Sequence, residues 1–231
     1  MTGVTPDFHL KTCFVLDERD RIISTREPEP LSGPIFTLIR SASSCVWAVR
    51  ADVPEFLAAE LGRFAAEEPP LQNPQDSPVY ADKYQALAGG QIESGPAFTF
   101  PDEITRPTDV TLVDNLNLRL LERNFRGWTA FEIPGRSPIL AIIDGGYPVS
   151  VCFCTRITEE AAEAGVETAP AFRGRGFAMR VTEAWAAAIR ASGRIPLYST
   201  SWSNAASRAV ARKLGLVQYA SNWSLVGNFG T

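Results

Sequence analysis

Two arginines and two glycines within six residues, Arg173-Gly174-Arg175-Gly176-Phe177-Ala178, form the segment of this chain best suited to chemistry. Just before it, Val166-Glu167-Thr168 reads as a short strand that stops at Pro170. After it, Phe177, Val181, Ala184, Trp185, Ala188 and Ile189 recur at helical spacing, so the glycines fall at a helix N-terminus. A helix start presents unpaired backbone N–H groups and roughly half a positive charge. Glycine lets an anion approach that backbone closely, and arginine adds charge-assisted donors. This is the chemistry of a pyrophosphate cradle. The structural alternative is a surface turn whose arginines are merely solvated. The dinucleotide fingerprint does not fit, because Gly174-Arg175-Gly176-Phe177-Ala178-Met179 lacks its third glycine, and the chain contains no G-K-[ST] for a P-loop.

Two carboxylates lie close by. Glu163 and Glu167 are four residues apart on one predicted strand and so share a face, either as solvated charges or as proton acceptors. The single histidine, His9, falls in the first strand-like segment, far from any nucleophile motif. Histidine-based triads and histidine metal sites are therefore set aside, and no metal is expected.

The hexapeptide from Arg173 to Ala178 matches the pattern Arg/Gln-x-x-Gly-x-Gly/Ala, and other segments stand in order around it. Thr168-x-Pro170 precedes it. Asn204-Ala205-Ala206-Ser207 and Lys213-Leu214-Gly215-Leu216 follow, separated from it by one helix and one strand, Pro196 to Trp202. Over about Ser137 to Val226 the chain resembles the GNAT N-acetyltransferase superfamily. The resemblance implies an α/β fold, a mixed sheet with helices on both faces. It implies acetyl-CoA, or another acyl-CoA, as co-substrate, with the pyrophosphate held by Arg173, Gly174, Arg175, Gly176, Phe177 and Ala178. By the same resemblance, the pantetheine arm pairs like an added strand with the backbones of Val166, Thr168 and Ala169. The Thr168 N–H then polarises the thioester carbonyl. Asn204 and Ser207 reach the coenzyme arm, unless Asn204 is an ordinary helix cap. An amine of pKa about 10.4 must lose a proton before it attacks, and Glu163 or Glu167 is the candidate base. Many relatives place a tyrosine seven residues after this asparagine to protonate the departing thiolate. Here that residue is Ala211, which leaves Tyr198, Tyr219 or Ser207 as substitutes, or no protein acid at all.

Composition sets the frame. The 231 residues are 45% hydrophobic and 21% charged, as in an ordinary globular chain with apolar material for a core. The net charge of −4 favours no nucleic-acid partner. No run approaches the roughly 20 apolar residues of a membrane span, and the N-terminus lacks the pattern of a signal peptide. With Cys13, Cys45, Cys152 and Cys154 read as reduced and buried, a cytoplasmic protein is expected, and a homodimer is left open.

The elements that must position the motif follow from periodicity. Cys13 to Leu16 and Ile22-Ile23 suggest a hairpin, and Ile35 to Arg40 and Ser44 to Arg50 two more strands. A helix is expected from an Asp52 cap to about Glu67. Then come the proline-rich stretch from Glu68 to Pro78, a short helix from Ala81 to Ala88, and a strand near Ala97 to Phe100. Thr108 reads as the cap of a helix striped by Leu112, Val113, Leu116, Leu120 and Leu121, which by the resemblance would border the acceptor site. Strands are expected at Thr129 to Ile133, Ile139 to Asp144, Val149 to Arg156 and Ala164 to Ala169. The chain thus divides into an N-terminal α/β portion (1–68), a connecting segment (69–107) and an acyl-CoA-binding catalytic domain (108–231). The expected function is acyl transfer from acetyl-CoA to an amine by direct attack in a ternary complex. A non-catalytic acyl-CoA-binding or regulatory module is the alternative, and transfer to a hydroxyl or aminoacyl group a further one.

Overall fold

In the computed structural model, which describes residues 3–228, Thr5 caps helix α1 (Pro6–Cys13). Its Oγ1 accepts from Phe8 N at 3.2 Å, and Pro6 occupies the helix start, where no N–H is needed. His9 is therefore helical, and the strand expected there begins only at β1 (Phe14–Leu16). The order continues through β2 (Ile22–Thr25), β3 (Phe36–Arg40), β4 (Cys45–Val49), α2 (Glu55–Ala66), α3 (Ala81–Ala88), β5 (Gln91–Thr99) and β6 (Thr111–Val113). It is completed by α4 (Ile133–Arg136), β7 (Ile139–Asp144), β8 (Tyr147–Ile157), β9 (Ala161–Thr168), α5 (Phe177–Ala191), β10 (Ile195–Ser199), α6 (Ala205–Lys213) and β11 (Val217–Val226).

The chain forms two compact units. Among the described residues, the first contains 3–99, 199–205 and 218–228; the second contains 100–198 and 206–217. The strands of the first unit run in the order β4-β3-β11-β5, with β3 antiparallel to both β4 and β11. One face buries Phe36, Leu38, Leu61, Tyr84, Trp223 and Leu225 in a common core. The proline-rich stretch is fastened from its first residue. The buried Glu68 carboxylate accepts from Val79 N (3.0 Å), Tyr80 N (2.9 Å) and Tyr84 Oη (3.2 Å), which satisfies a charge that burial would otherwise penalise.

The second unit is a mixed sheet in the order β10-β9-β8-β7-β6, antiparallel except for the parallel β9–β10 pair. Helix α5 covers one face, where Cys152 lies against Thr182 and Cys154 against Trp185. The opposite face buries Val113, Leu121, Phe125, Ile133, Ile139 and Phe153.

Two expectations fail here. Residues 108–121 form no α-helix: Thr111–Val113 pair with β7, and a 3-10 turn spans Leu118–Leu121. Asp114 Oδ1 accepts from Leu116 N, Asn117 Oδ1 accepts from Asp114 N, and Asn117 Nδ2 donates to Leu112 O. These side chains supply the local bonds a helix would need and leave Leu116 96% exposed, off any apolar stripe. Thr129 to Ile133 is not a strand either. Glu132 Oε2 accepts from Thr129 N and Thr129 Oγ1, and Glu132 N donates to Thr129 O at 3.1 Å, which closes a turn that leads into α4.

Candidate functional site

Strand β9 lies between two neighbours of unequal length. Against β8 it pairs from Ala162 to Thr168, but against β10 only Ala161, Ala162 and Glu163 pair, with Ile195, Pro196 and Leu197. Beyond Glu163 the β10 side of the strand is open. Ala169 N donates to Val149 O at 2.9 Å and Glu167 O accepts from Ser150 Oγ at 3.0 Å, so both residues address β8. Alternation then turns the N–H and C=O of Val166 and Thr168 toward the opening. Thr168 O accepts from Arg173 Nε at 3.2 Å. Ala169 was expected to face the arm with Val166 and Thr168, but its N–H is committed to Val149 and its C=O accepts from Phe172 N.

Ser150 is a residue that sequence reasoning missed. It is fully buried, and its hydroxyl lies 2.8 Å from Thr168 Oγ1 while also bonding Glu167 O, which fixes the end of β9. The signal was its place in the alternation of β8, opposite Thr168. Gly165 is required for a different reason. A Cβ there would stand 2.5 Å from both the Phe153 ring and Thr155 Oγ1.

Past β9 the chain turns through Pro170–Phe172 into α5. Gly174 (φ 78°) and Gly176 (φ 83°) both take the left-handed conformation, and a Cβ on either would project into open space. Gly176 is the N-cap residue of α5, and no side-chain cap bond is made there among the described residues. The first-turn donors of this helix, at Phe177 and Ala178, therefore remain for an external acceptor. Arg175 Nη2 donates to Ala171 O at 3.2 Å, with its guanidinium 5.0 Å from the Phe172 ring centre. The glycines, the uncapped helix start and the two arginines fit a diphosphate.

The two glutamates do not share an environment. A bulge in β8 between Cys154 and Arg156 brings Arg156 opposite Glu163, and the two are ion-paired with Glu163 only 2% exposed. That carboxylate is committed inside the fold, contrary to its expected availability as a base. Glu167, opposite Val151, is exposed.

The hydroxyl candidates separate as well. Tyr198 directly follows the last β10 residue paired to β9, and its Oη lies 2.7 Å from Ser207 Oγ. Burial raises its phenol pKa. Tyr219 Oη lies 2.6 Å from His9 Nδ1 in the first unit. Ala211 is 1% exposed, so its side chain points into the interior. Asn204 immediately precedes α6 and donates its N–H to Ser201 O at 3.1 Å.

The sequence model of the GNAT acetyltransferases matches residues 107–224, about half the chain. The protein belongs to the GNAT acetyltransferase family. Among solved structures it is similar to a GNAT-family protein from Novosphingobium aromaticivorans, with a TM-score of 0.50 and 18% identity over 60% of this chain and 66% of that one. A GCN5-related N-acetyltransferase from Sphaerobacter thermophilus also gives a TM-score of 0.50, at 16% identity over 78% of this chain and 70% of that one. At such identities the likeness is one of fold, and the first match spans just under two thirds of its counterpart's length. No curated protein matches the sequence. Among the described residues, no helix is long and apolar enough to cross a membrane.

Proposed function

We propose that the protein transfers an acetyl group from acetyl-CoA to an amine, with both substrates bound together. The observation that carries this reading is the open backbone edge of β9, which leads within a few residues into the uncapped glycine turn of α5. The thioester supplies an activated acyl carbon and a good leaving group. The protein's part is to bind and orient it. Phe177 and Ala178 N–H, with Arg173 and Arg175, hold the diphosphate; the Val166 backbone pairs with the arm; and the Thr168 N–H donates to the acyl oxygen. Glu167 takes the proton from the amine, and Tyr198, kept protonated by burial and oriented by Ser207, returns one to the thiolate.

One observation favours the non-catalytic alternative: the position that carries tyrosine in many relatives is a buried alanine, Ala211. Calorimetry with acetyl-CoA, followed by an assay of free-thiol release across a panel of primary amines, separates the two. Saturable thiol release dependent on an amine is the expected result. Tight binding without turnover supports the alternative, and absence of binding overturns both.

A further inference from the structure

The buried hydroxyl of Ser150 is joined to the peptide group that faces the open side of β9. Ser150 Oγ donates to Glu167 O at 3.0 Å and lies 2.8 Å from Thr168 Oγ1. A hydroxyl carries one proton. The Glu167 carbonyl can only accept, so Ser150 spends its proton there, and the proton between the two hydroxyls belongs to Thr168. The bonds therefore run in one direction, from Thr168 Oγ1 to Ser150 Oγ and from Ser150 Oγ to Glu167 O. Ser150 stands in the β8 row that continues through Cys152 and Cys154, and it is 0% exposed, so bulk water does not compete for either bond.

The Glu167 C=O and the Thr168 N–H belong to one planar trans peptide, in which these two bonds point in opposite directions. The carbonyl faces Ser150 on β8, so the N–H faces the side that β10 leaves after Leu197. The following peptide is held as well, because Ala169 N donates to Val149 O at 2.9 Å. Ser150 thus sets the direction of the Thr168 N–H from behind. Hydrogen bonds in a chain polarise one another, and a carbonyl that accepts a bond makes the N–H of its own peptide a stronger donor. This chain starts on the Thr168 side chain and ends on the peptide that carries the Thr168 N–H.

We propose that Ser150 is a positioning residue for acyl transfer, which through Glu167 O aims and polarises the Thr168 N–H toward the acyl oxygen. The inference rests on the acetyl-transfer reading above. As the amine nitrogen bonds to the acyl carbon, the carbonyl π pair moves onto oxygen, where the Thr168 N–H meets it. When the pair returns, the C–S bond breaks and its electrons leave on the coenzyme sulfur, which takes a proton from Tyr198 while Glu167 keeps the one from the amine. Ser150 touches neither substrate. Its effect grows with the charge on the acyl oxygen, so it acts on the transition state more than on binding. Coenzyme A, which has no acyl oxygen, should not sense it.

Infrared spectroscopy of acetyl-CoA, isotope-labelled at the acyl carbonyl carbon and bound to the full chain, tests this beside steady-state kinetics. The carbonyl stretch is expected to fall below that of the free thioester in the wild type and to move part of the way back in Ser150→Ala. That variant should lower kcat and kcat/KM together by about tenfold, short of the 10²- to 10³-fold cost of losing a donor outright. Its affinity for coenzyme A should stay within about twofold. Thr168→Val breaks the chain at its start and should move the stretch in the same direction by less, whereas Thr168→Ser should keep the wild-type stretch; this pair decides the matter if Ser150→Ala does not fold. The proposal is overturned if Ser150→Ala keeps the wild-type stretch and kcat, or if Thr168→Val and Thr168→Ser behave alike. It is overturned too if Ser150→Ala weakens coenzyme A binding and leaves the stretch unmoved, which would make Ser150 a packing residue only. Acetyl-CoA that binds the wild type with no carbonyl shift would overturn it while leaving the coenzyme turn in place. No binding at all would instead remove the acetyl-transfer reading, and the proposal with it.

Discussion

Two open strand edges among the described residues, that of β9 in the second unit and that of β4 in the first, differ in surroundings rather than in backbone chemistry. The β9 edge opens where pairing with β10 stops after Glu163, and the chain then runs into a helix start flanked by Arg173 and Arg175. The β4 edge lies between two helices under a rim where Asp7 pairs with Lys11 and Glu55 with Arg19 and Arg21. Each offers the same alternating donors and acceptors. The first is set up for an extended ligand with an anionic end; the charges around the second are matched among themselves. A bare edge does not discriminate among partners; nearby charge, small residues and uncapped donors do. Disturbing one edge should therefore leave the other intact, and that independence can be attacked directly.

The largest effect is expected at Glu167. As the only glutamate of the pair open to solvent, it is the proposed proton acceptor, and Glu167→Gln should lower turnover at neutral pH by about 10²- to 10⁴-fold. The loss should shrink as pH rises toward that of the free amine, because less deprotonation is then needed. A variant with an unaltered pH–rate profile would move the proton path to water or backbone carbonyls.

Next in size are the thiols, one on β4 and two on β8. Burial pushes the Cys45 thiol up to about 12, with Glu68 adding to the rise, and burial pushes Cys154 up to about 11. Cys152 is raised in the same direction, again by burial. From an ordinary value of 9.0, a thiol at 12 has a thiolate fraction about 10³-fold smaller at neutral pH. Alkylation of the native protein should therefore be slow at all three sites and accelerate with pH, Cys45 leading because it is only half-buried. Rapid labelling of Cys45 at pH 7 would mean that β4 is more open than described, and rapid labelling of the β8 pair that α5 does not cover it.

At the β9 edge, Gly176→Val should weaken acetyl-CoA binding by about 10²-fold in calorimetry. The added side chain enters the space in front of the helix donors, and φ 83° suits no β-branched residue. The strain costs on the order of 1–2 kcal/mol, which a folded domain survives. Unchanged affinity in a folded variant would remove the diphosphate from this turn.

What the sequence disclosed and what it hid divides along the same physical line. The α5 turn was legible because its signals are local: a proline stop, glycines, arginines and an immediate helical stripe. β3, β4, β7 and β8 were legible as apolar runs between turn residues. The segment from Thr108 to Leu121 misled because leucines at helical spacing were outvoted by pairing with β7 and by Asp114 and Asn117 bonding their own backbone. The start of α1 could have been read from Thr5-Pro6-Asp7, a cap followed by a proline, had the apolar run after it weighed less. Glu163 and Glu167 looked equivalent because nothing local reveals a bulge, and the bulge alone sets Arg156 against the first of them. The open edges were least legible of all. Which side of a strand lacks a partner is decided by distant residues, not by its own sequence.

The smallest effect tests how firmly the β4 edge is set. Asp52 accepts from Arg50 Nε at 2.8 Å and Nη2 at 3.1 Å, and the buried Arg50 also donates to Gly33 O and Gly227 O, so the pair fixes the chain just beyond Val49. The Arg50 hydrogen bonds hold the Asp52 carboxyl below its ordinary 3.8, against a smaller opposing effect of burial. A carboxylate with a lowered folded-state pKa contributes stability that is complete above its unfolded value and disappears as pH falls through the folded one. Asp52→Asn should therefore lower stability at pH 7 and make no difference once acid has protonated the native carboxylate. The Asp52 side chain is 59% exposed, so solvent screening keeps the difference at neutral pH below about 1 kcal/mol. Chemical denaturation of both proteins across pH 2 to 7 would show two curves that converge on the acid side. Parallel curves would mean that the charge on Asp52 is irrelevant and that Arg50 is held by the Gly33 and Gly227 carbonyls alone. A loss of several kcal/mol would mean that the end of β4 depends on this one exposed pair.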